Sequence, residues 1–304
     1  MDEAFDGGLI RKLWPYQIGV PLKDKGDVSN LPAWKLVPPT SEEISEWIVV
    51  EPVESNLDGV ERPTILYHPS LMGVKTKVSI RVQGFVESVN IGPLGNWDGK
   101  EHSAGAAMQH LTLSGGGLSK PFTSQLEAIE EFRMAVMSYI DHDFDPIPQT
   151  VELERLHLSR RVFYKIPLTP RKNIRSALRA GDDPRGSAAK IAHRWKVPFR
   201  VRLGVQHEDG KIVPTSQIGI RKGDFIDVSF VPEIITKRSR QGVRFELKFD
   251  VQDVVRLYTR NEFSDDVLAL LSPDPLPHVA AVLHEADSGF TFDTNDQCTP
   301  MVYD

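Results

Sequence analysis

The residue types best suited to chemistry are gathered in one stretch. Between Arg155 and Arg202 there are fourteen Lys or Arg and two acids, Asp182 and Asp183, in a 304-residue chain whose formal net charge is -6. Aromatic residues are threaded through that stretch as SRRVFYKIPL (Ser159 to Leu168) and AHRWKVPFRVR (Ala192 to Arg202). Cations neutralise phosphates and release counterions, and an exposed ring stacks on a base for roughly 1–3 kcal/mol. The pattern therefore predicts binding of a polyanion, single-stranded DNA or RNA above all, largely without regard to sequence. The contact candidates are Arg160, Arg161, Tyr164, Lys165, Arg171, Lys172, Arg175, Arg194, Trp195, Lys196, Arg200 and Arg202. Strand alternation puts Phe199 on the apolar face with Val201 and Leu203, and points Arg200 and Arg202 the other way. A second basic patch, Lys237, Arg238, Arg240 and Arg244, surrounds a turn between two long strand patterns.

A sequence pI near 5.9 argues against a polyanion partner for the chain as a whole. Screening within about 8–10 Å lets a basic face act independently of distant acids. Those acids are segregated: after Arg260 there is no Lys or Arg, while nine acids run from Glu262 to Asp304. With two acids among fourteen cations, little local pairing is expected to neutralise the basic stretch.

Other chemistry has weaker support. Asp141, His142, Asp143 and Asp145 in DHDFD form an oxygen and nitrogen set suited to Mg²⁺ or Mn²⁺, which gives the alternative of a metal-dependent nucleic-acid enzyme. Acids beyond a helix end and before Pro146 and Pro148 are equally loop formers. His102 and His110 lack a third ligand at zinc spacing, and Gly181-Asp182-Asp183 stands in a helix-capping context. No GxxxxGK[ST], GxSxG or HExxH occurs. The lone Cys298 allows no intramolecular disulfide and favours a reducing intracellular compartment. The opening MDEAFDGGLI is too acidic for a signal peptide, and no apolar run is long enough for a bilayer. A non-enzymatic binder without a cofactor is the reading that follows.

The elements that must position these residues are mainly β. The expected fold is α+β, with one or two antiparallel barrels, helical insertions and a flexible acidic C-terminal tail. Residues 1–62 read as an N-terminal arm ending in a helix capped by Thr40 and Glu43. Residues 63–145 read as a first β-rich domain, with strands around Val78 to Val82 and Met108 to Leu113, a bend or bulge at Gly84, and a helix starting at Ser124. A linker over 143–150 leads to a second β-rich domain, 146–262, carrying the basic insertion. In it Asn173 is expected to cap a helix ending at Gly181, and Ser187 another reaching Trp195. Asp209-Gly210 signals a hairpin within an antiparallel meander from Phe199 to Phe249. Residues 263–304 read as a helical segment and the acidic tail.

RKGDFIDVSFVPEIITKRSRQGVRFELKFDVQDVVRLY (Arg221 to Tyr258) resembles the strand-turn-strand portion of an oligonucleotide-binding barrel, as in single-stranded DNA-binding proteins and replication protein A. The resemblance implies a single-stranded DNA partner and a role in replication, recombination or repair. It also implies that the tail ending Met301, Val302, Tyr303, Asp304 competes for the basic groove or recruits a protein partner. A viral coat protein with a β-sandwich, self-assembling with its basic segment toward the genome, is a further alternative.

Overall fold

The computed structural model describes residues 38, 40–55, 61–72, 75–116, 119–140, 154–166, 175–207, 211–239 and 242–261. Helix α1 (Ser41–Trp47) starts where its cap predicts: the Thr40 hydroxyl accepts from the Glu43 amide at 3.4 Å. It leads directly into an antiparallel hairpin of β1 (Ile48–Ser55) and β2 (Glu61–Tyr67), followed by one turn of helix, α2 (Pro69–Met72). Ile44, Trp47 and Ile48 are buried, and the Trp47 ring meets Tyr67 and Phe132 edge-on at 5.6 and 6.0 Å. Those apolar residues fasten the arm to the core.

A seven-stranded sheet organises the rest. Its strands are β3 (Ile80–Asn90), β4 (Met108–Ser114), β5 (Arg155–Arg161), β8 (Arg202–Gln206), β9 (Ile212–Pro214), β10 (Phe225–Ser239) and β11 (Gly242–Tyr258), in the order β5-β4-β3-β10-β11-β8-β9. Strands from both sides of the segment 143–150 share it, and that segment lies outside the described residues. Every neighbouring pair is antiparallel except β11 and β8, which run parallel. This corrects the simple meander expected over 199–249. The hairpin flanking Asp209-Gly210 forms, with the His207 amide donating to the Lys211 carbonyl at 2.9 Å. β8 then pairs with β11 rather than β10. From Phe225 to Phe230 every residue of β10 is buried, so that strand needs a neighbour on each side, whereas β9 ends in Pro214 and exposes Val213, as suits an edge. The mainly-β, α+β class expected from sequence is the class found.

The sheet curls until its edge strand β5 meets β11, where Arg160 Nη1 donates to the Val251 carbonyl at 2.8 Å. Val82, Val86, Leu111, Leu113, Leu158, Val228, Phe230 and Val254 are buried in the core this curl encloses. Helix α3 (Ser119–Ile140) lays Phe122, Leu126, Ile129, Phe132 and Val136 into the same core, an i, i+4, i+7 stripe. It begins five residues before Ser124, because Pro121 is tolerated in a first turn whose amides have no intrahelical partner. Gly84 sits in unbroken register with Ile226 of β10. A Cβ there would stand 2.8 Å from Phe122 Cε2 and 3.2 Å from the Ser114 carbonyl, so glycine permits the helix to approach; the register irregularity falls between Val86 and Ser88.

The basic insertion builds a small satellite core. β6 (Tyr164–Lys165) pairs with β7 (Trp195–Lys196), and a single turn, α4 (Ser187–Lys190), lies between them in sequence. Phe163, Leu178, Ala188, Ile191 and Val197 pack against Ala104 and Ala107 around the 3-10 helix Glu101–Ala106, with Trp97 edge-on to Phe163 at 4.6 Å. Two expected helices are corrected here. Residues 175–179 are not helical, while Asn173 lies outside the described residues. α4 spans only four residues, and Ser187 does not cap it. The Asp183 carboxylate does, accepting from the amides of Ser187, Ala188 and Ala189 at 2.9, 2.8 and 3.1 Å, since two carboxylate oxygens reach three donors where one hydroxyl reaches one. Among the described residues no helix is long and apolar enough to cross a membrane.

Candidate nucleic-acid interface

Several arginines of the basic stretch face carboxylates, most of these from elsewhere in the chain. Arg155 pairs with Glu87 at 2.8 Å, Arg194 with Glu101 at 3.2 Å and Arg200 with Asp182 at 3.1 Å. Arg202 lays its fork on Asp253 at 2.5 and 3.0 Å, and the Ser229 hydroxyl donates to the same carboxylate at 2.9 Å. The expectation of little pairing is therefore corrected: counting acids nearby in sequence misses those that β3, β11 and the 3-10 helix bring alongside. Pairing fixes these guanidinium groups in place and reduces their net charge.

Arg160 departs furthest from its expected role. It is 3% exposed, bonded to the Val251 carbonyl and to Gln252 Oε1 at 3.3 Å, with Nε 3.6 Å from Asp250 Oδ2. Buried in the β5–β11 seam, it is not placed to reach a phosphate. Burial pushes the Asp250 carboxyl up to about 7; Glu233 adds to the rise, and Arg160 and Lys77 oppose it. Trp195 is half-buried against the 3-10 helix, where a Cβ on Gly105 would come within 3.0 Å of its Cη2, and so it packs rather than presents a face.

Phe199 reverses its expected burial. It is 44% exposed, because residues 197–201 lie outside any strand and β8 starts only at Arg202. Alternation cannot be extended through Pro198, which has no amide to give to a ladder. The Phe199 ring stands edge-to-face with Tyr164 at 6.1 Å, and the Arg160 guanidinium carbon lies 4.8 Å from its centroid. Burial, then the charges of Asp250 and Glu233, hold the Tyr164 phenol well above its ordinary range, so it stays protonated. Beside this pair, Arg161 and Lys165 are exposed and Lys196 half-buried, and none of the three makes an ion pair with a described residue.

One residue beyond Phe199 the chain enters a groove of about 720 Å³. Arg179, Gly181, Asp182 and Pro184 of the insertion line one part of it, Arg200, Arg202 and Leu203 another, and Pro214 to Ile218 a third, with Ile91 and Pro93. Ile218 is 69% exposed. Three arginines against Asp182 and Asp253 leave the groove formally cationic. Sequence reasoning missed Arg179 and the 214–218 segment. The backbone amide of Arg179 donates to the Asp182 carboxylate at 2.8 Å, a turn that any residue at 179 could make, so no local signal marked either.

The other candidates are elsewhere. Arg175 is exposed on the insertion, while Arg171, Lys172 and Arg240 lie outside the described residues. Lys237 sits opposite Arg244 near the tip of the β10–β11 hairpin, with Arg238 one residue nearer the turn. Lys237 is eight residues along β10 from Ser229. At about 3.4 Å per residue the tip is roughly 27 Å from the Arg202–Asp253 pair, and its residues do not line the groove beside Phe199. Asp141, His142, Asp143 and Asp145 also lie outside the described residues, as does the tail. Among the described residues no three His, Cys, Asp or Glu are grouped to hold a metal ion.

No family model matches this chain, and neither does any curated protein. Solved structures similar to it are single-stranded DNA-binding proteins of bacteriophages. The one from bacteriophage Enc34, in complex with ssDNA, is 12% identical over 69% of this chain and 95% of its own, with a TM-score of 0.29. The gp2.5 protein encoded by bacteriophage T7 is 9% identical over 67% of this chain and 100% of its own, with a TM-score of 0.35.

Proposed function

We propose that this chain binds single-stranded nucleic acid, DNA foremost, along the Arg179–Arg200–Arg202 groove, with a base stacked on Phe199. The observation that carries the reading is an exposed aromatic ring beside a groove fixed with arginines. The groove's size falls within the roughly 300–1,000 Å³ of ordinary ligand clefts. Its guanidinium groups suit phosphate, and Arg161, Lys165 and Lys196 extend the positive surface past Phe199. A base must be unstacked to lie on a side chain, which favours a single strand over a duplex, and every base offers a π-face, which makes the binding tolerant of sequence. Service in replication, recombination or repair is the setting that such an activity suits.

The test is fluorescence anisotropy of a labelled oligo-dT, beside its duplex form, at about 50 and 200 mM salt. Affinity is expected to fall steeply with salt, the single strand to bind tighter, and Arg200→Ala to reduce the salt slope by about 1. Absence of salt-sensitive binding below roughly 10 µM, or equal binding of the duplex, overturns the proposal.

A further inference from the structure

We propose that Arg160 is the positioning residue of the stacking surface: its buried guanidinium holds the Phe199 ring from beneath while tying β5 to β11. The inference rests on the binding reading above and deepens it. Phe199 lies in a segment without strand structure, so no ladder of backbone bonds orients it. A ring nearly half in solvent tends to fold back onto apolar surface, which would spoil it as a platform. What opposes this is beneath it. The 4.8 Å separation of Arg160 Cζ from the ring centroid is within the range of a cation–π contact, and Tyr164 abuts the ring edge-to-face.

Arg160 in turn has little freedom. Its Nη1 is shared by the Val251 carbonyl and Gln252 Oε1, and its Nε faces Asp250, three consecutive residues of β11. Gln252 Nε2 also donates to Asp250 Oδ2 at 3.2 Å, closing the set. The planar fork explains why arginine is used. It can bond along its edge to β11 and present its flat face to the ring, whereas a lysine ammonium can pair with Asp250 but offers no plane. Arg160 thus acts on a ligand through Phe199 and touches no phosphate itself.

A double-mutant cycle on the full chain tests this, with Arg160→Lys, Phe199→Leu and the pair together, read by oligo-dT anisotropy and by thermal melting. Phe199→Leu is expected to weaken binding about 10-fold. Arg160→Lys is expected to weaken it about 5-fold alone but less than about 2-fold on top of Phe199→Leu, with the salt slope unchanged in all three. The same loss with and without Phe199→Leu, or lowered melting with affinity intact, overturns the inference and leaves Arg160 a seam residue only. Should Arg160→Lys not fold, Arg160→Met with Asp250→Asn removes the charge and its buried partner together and completes the same cycle. If Phe199→Leu is neutral while Arg200→Ala weakens binding, the inference falls and the groove reading stands; if the unaltered chain binds no oligonucleotide, both fall.

Discussion

Replacing Asp183 by Ala is expected to loosen one wall of the groove while leaving the large sheet intact. The carboxylate is buried and serves three amides, those of Ser187, Ala188 and Ala189, at 2.8–3.1 Å. Hydrogen bonds to a charged acceptor are worth about 1.5–3 kcal/mol each where water cannot substitute. Only Ala188 is buried, and the half-buried Ser187 and Ala189 amides regain water. One full penalty and two partial ones come to about 2–4 kcal/mol, more than a four-residue turn such as α4 can absorb. The loss should be local, because the satellite core around Phe163 and Leu178 is separate from the one inside the curled sheet. Hydrogen exchange read by mass spectrometry is the assay. Peptides within 175–197 are expected to exchange roughly 30- to 1,000-fold faster, with β10 and β11 unchanged. Oligonucleotide affinity should fall too, since Arg179, Gly181, Asp182 and Pro184 line the groove. Asp183→Ser, which keeps one acceptor, should recover part of both effects. Exchange within about 2-fold of the unaltered chain over 175–197, or a uniform change throughout, refutes the reasoning.

Three further outcomes are expected. Asp250 has a folded-state pKa near 7, above the ordinary carboxyl value, so the folded state binds its proton more tightly than the unfolded state does. Its contribution to stability is present below about pH 4 and is lost as pH rises to about 7, with Arg160, Lys77, Glu233 and Tyr164 as the ionisable neighbours. Urea titrations should therefore show Asp250→Asn gaining on the unaltered chain between about pH 4 and 7, and parallel curves would contradict this. Gly84→Val places a Cβ at 2.8 Å from Phe122 Cε2 and should cost about 1–3 kcal/mol in urea unfolding, with Gly84→Ala costing less; no change would mean that α3 shifts freely. Trp47→Ala empties a fully buried site between Tyr67 and Phe132 and should cost about 3–5 kcal/mol, lowering the melting temperature of the whole chain if the arm is integral to the core.

What could be read from the sequence was local. Thr40 and Glu43 announced α1, Asp209-Gly210 announced the β8–β9 hairpin, and the alternation of Val243, Phe245, Leu247 and Phe249 announced β11, because caps, turns and strand faces are set by residues a few positions apart. Pairings between distant residues were not visible. No local pattern says that Arg202 will meet Asp253, that Arg160 will turn inward to Val251, or that β8 will run parallel to β11. Phe199 shows the same limit from the other side. Alternation assigned it to a buried face, but Pro198 had ended the ladder that alternation presumes, and the residue misjudged as core became the exposed ring on which the binding proposal turns. The basic composition overstated the free charge of its stretch, since most of the acids that pair with it come from β3, β11 and the 3-10 helix.

The most direct measurement is photocrosslinking of the full chain to an oligonucleotide carrying 5-iododeoxyuridine, with the attachment site read by mass spectrometry. The prediction is attachment at Phe199 and Tyr164 and in the peptides spanning 177–184 and 214–218, lost at high salt. Tyr139, half exposed on α3, serves as the internal control for random contact. Crosslinks at Tyr139 or elsewhere with none at Phe199 or in the groove would contradict the account.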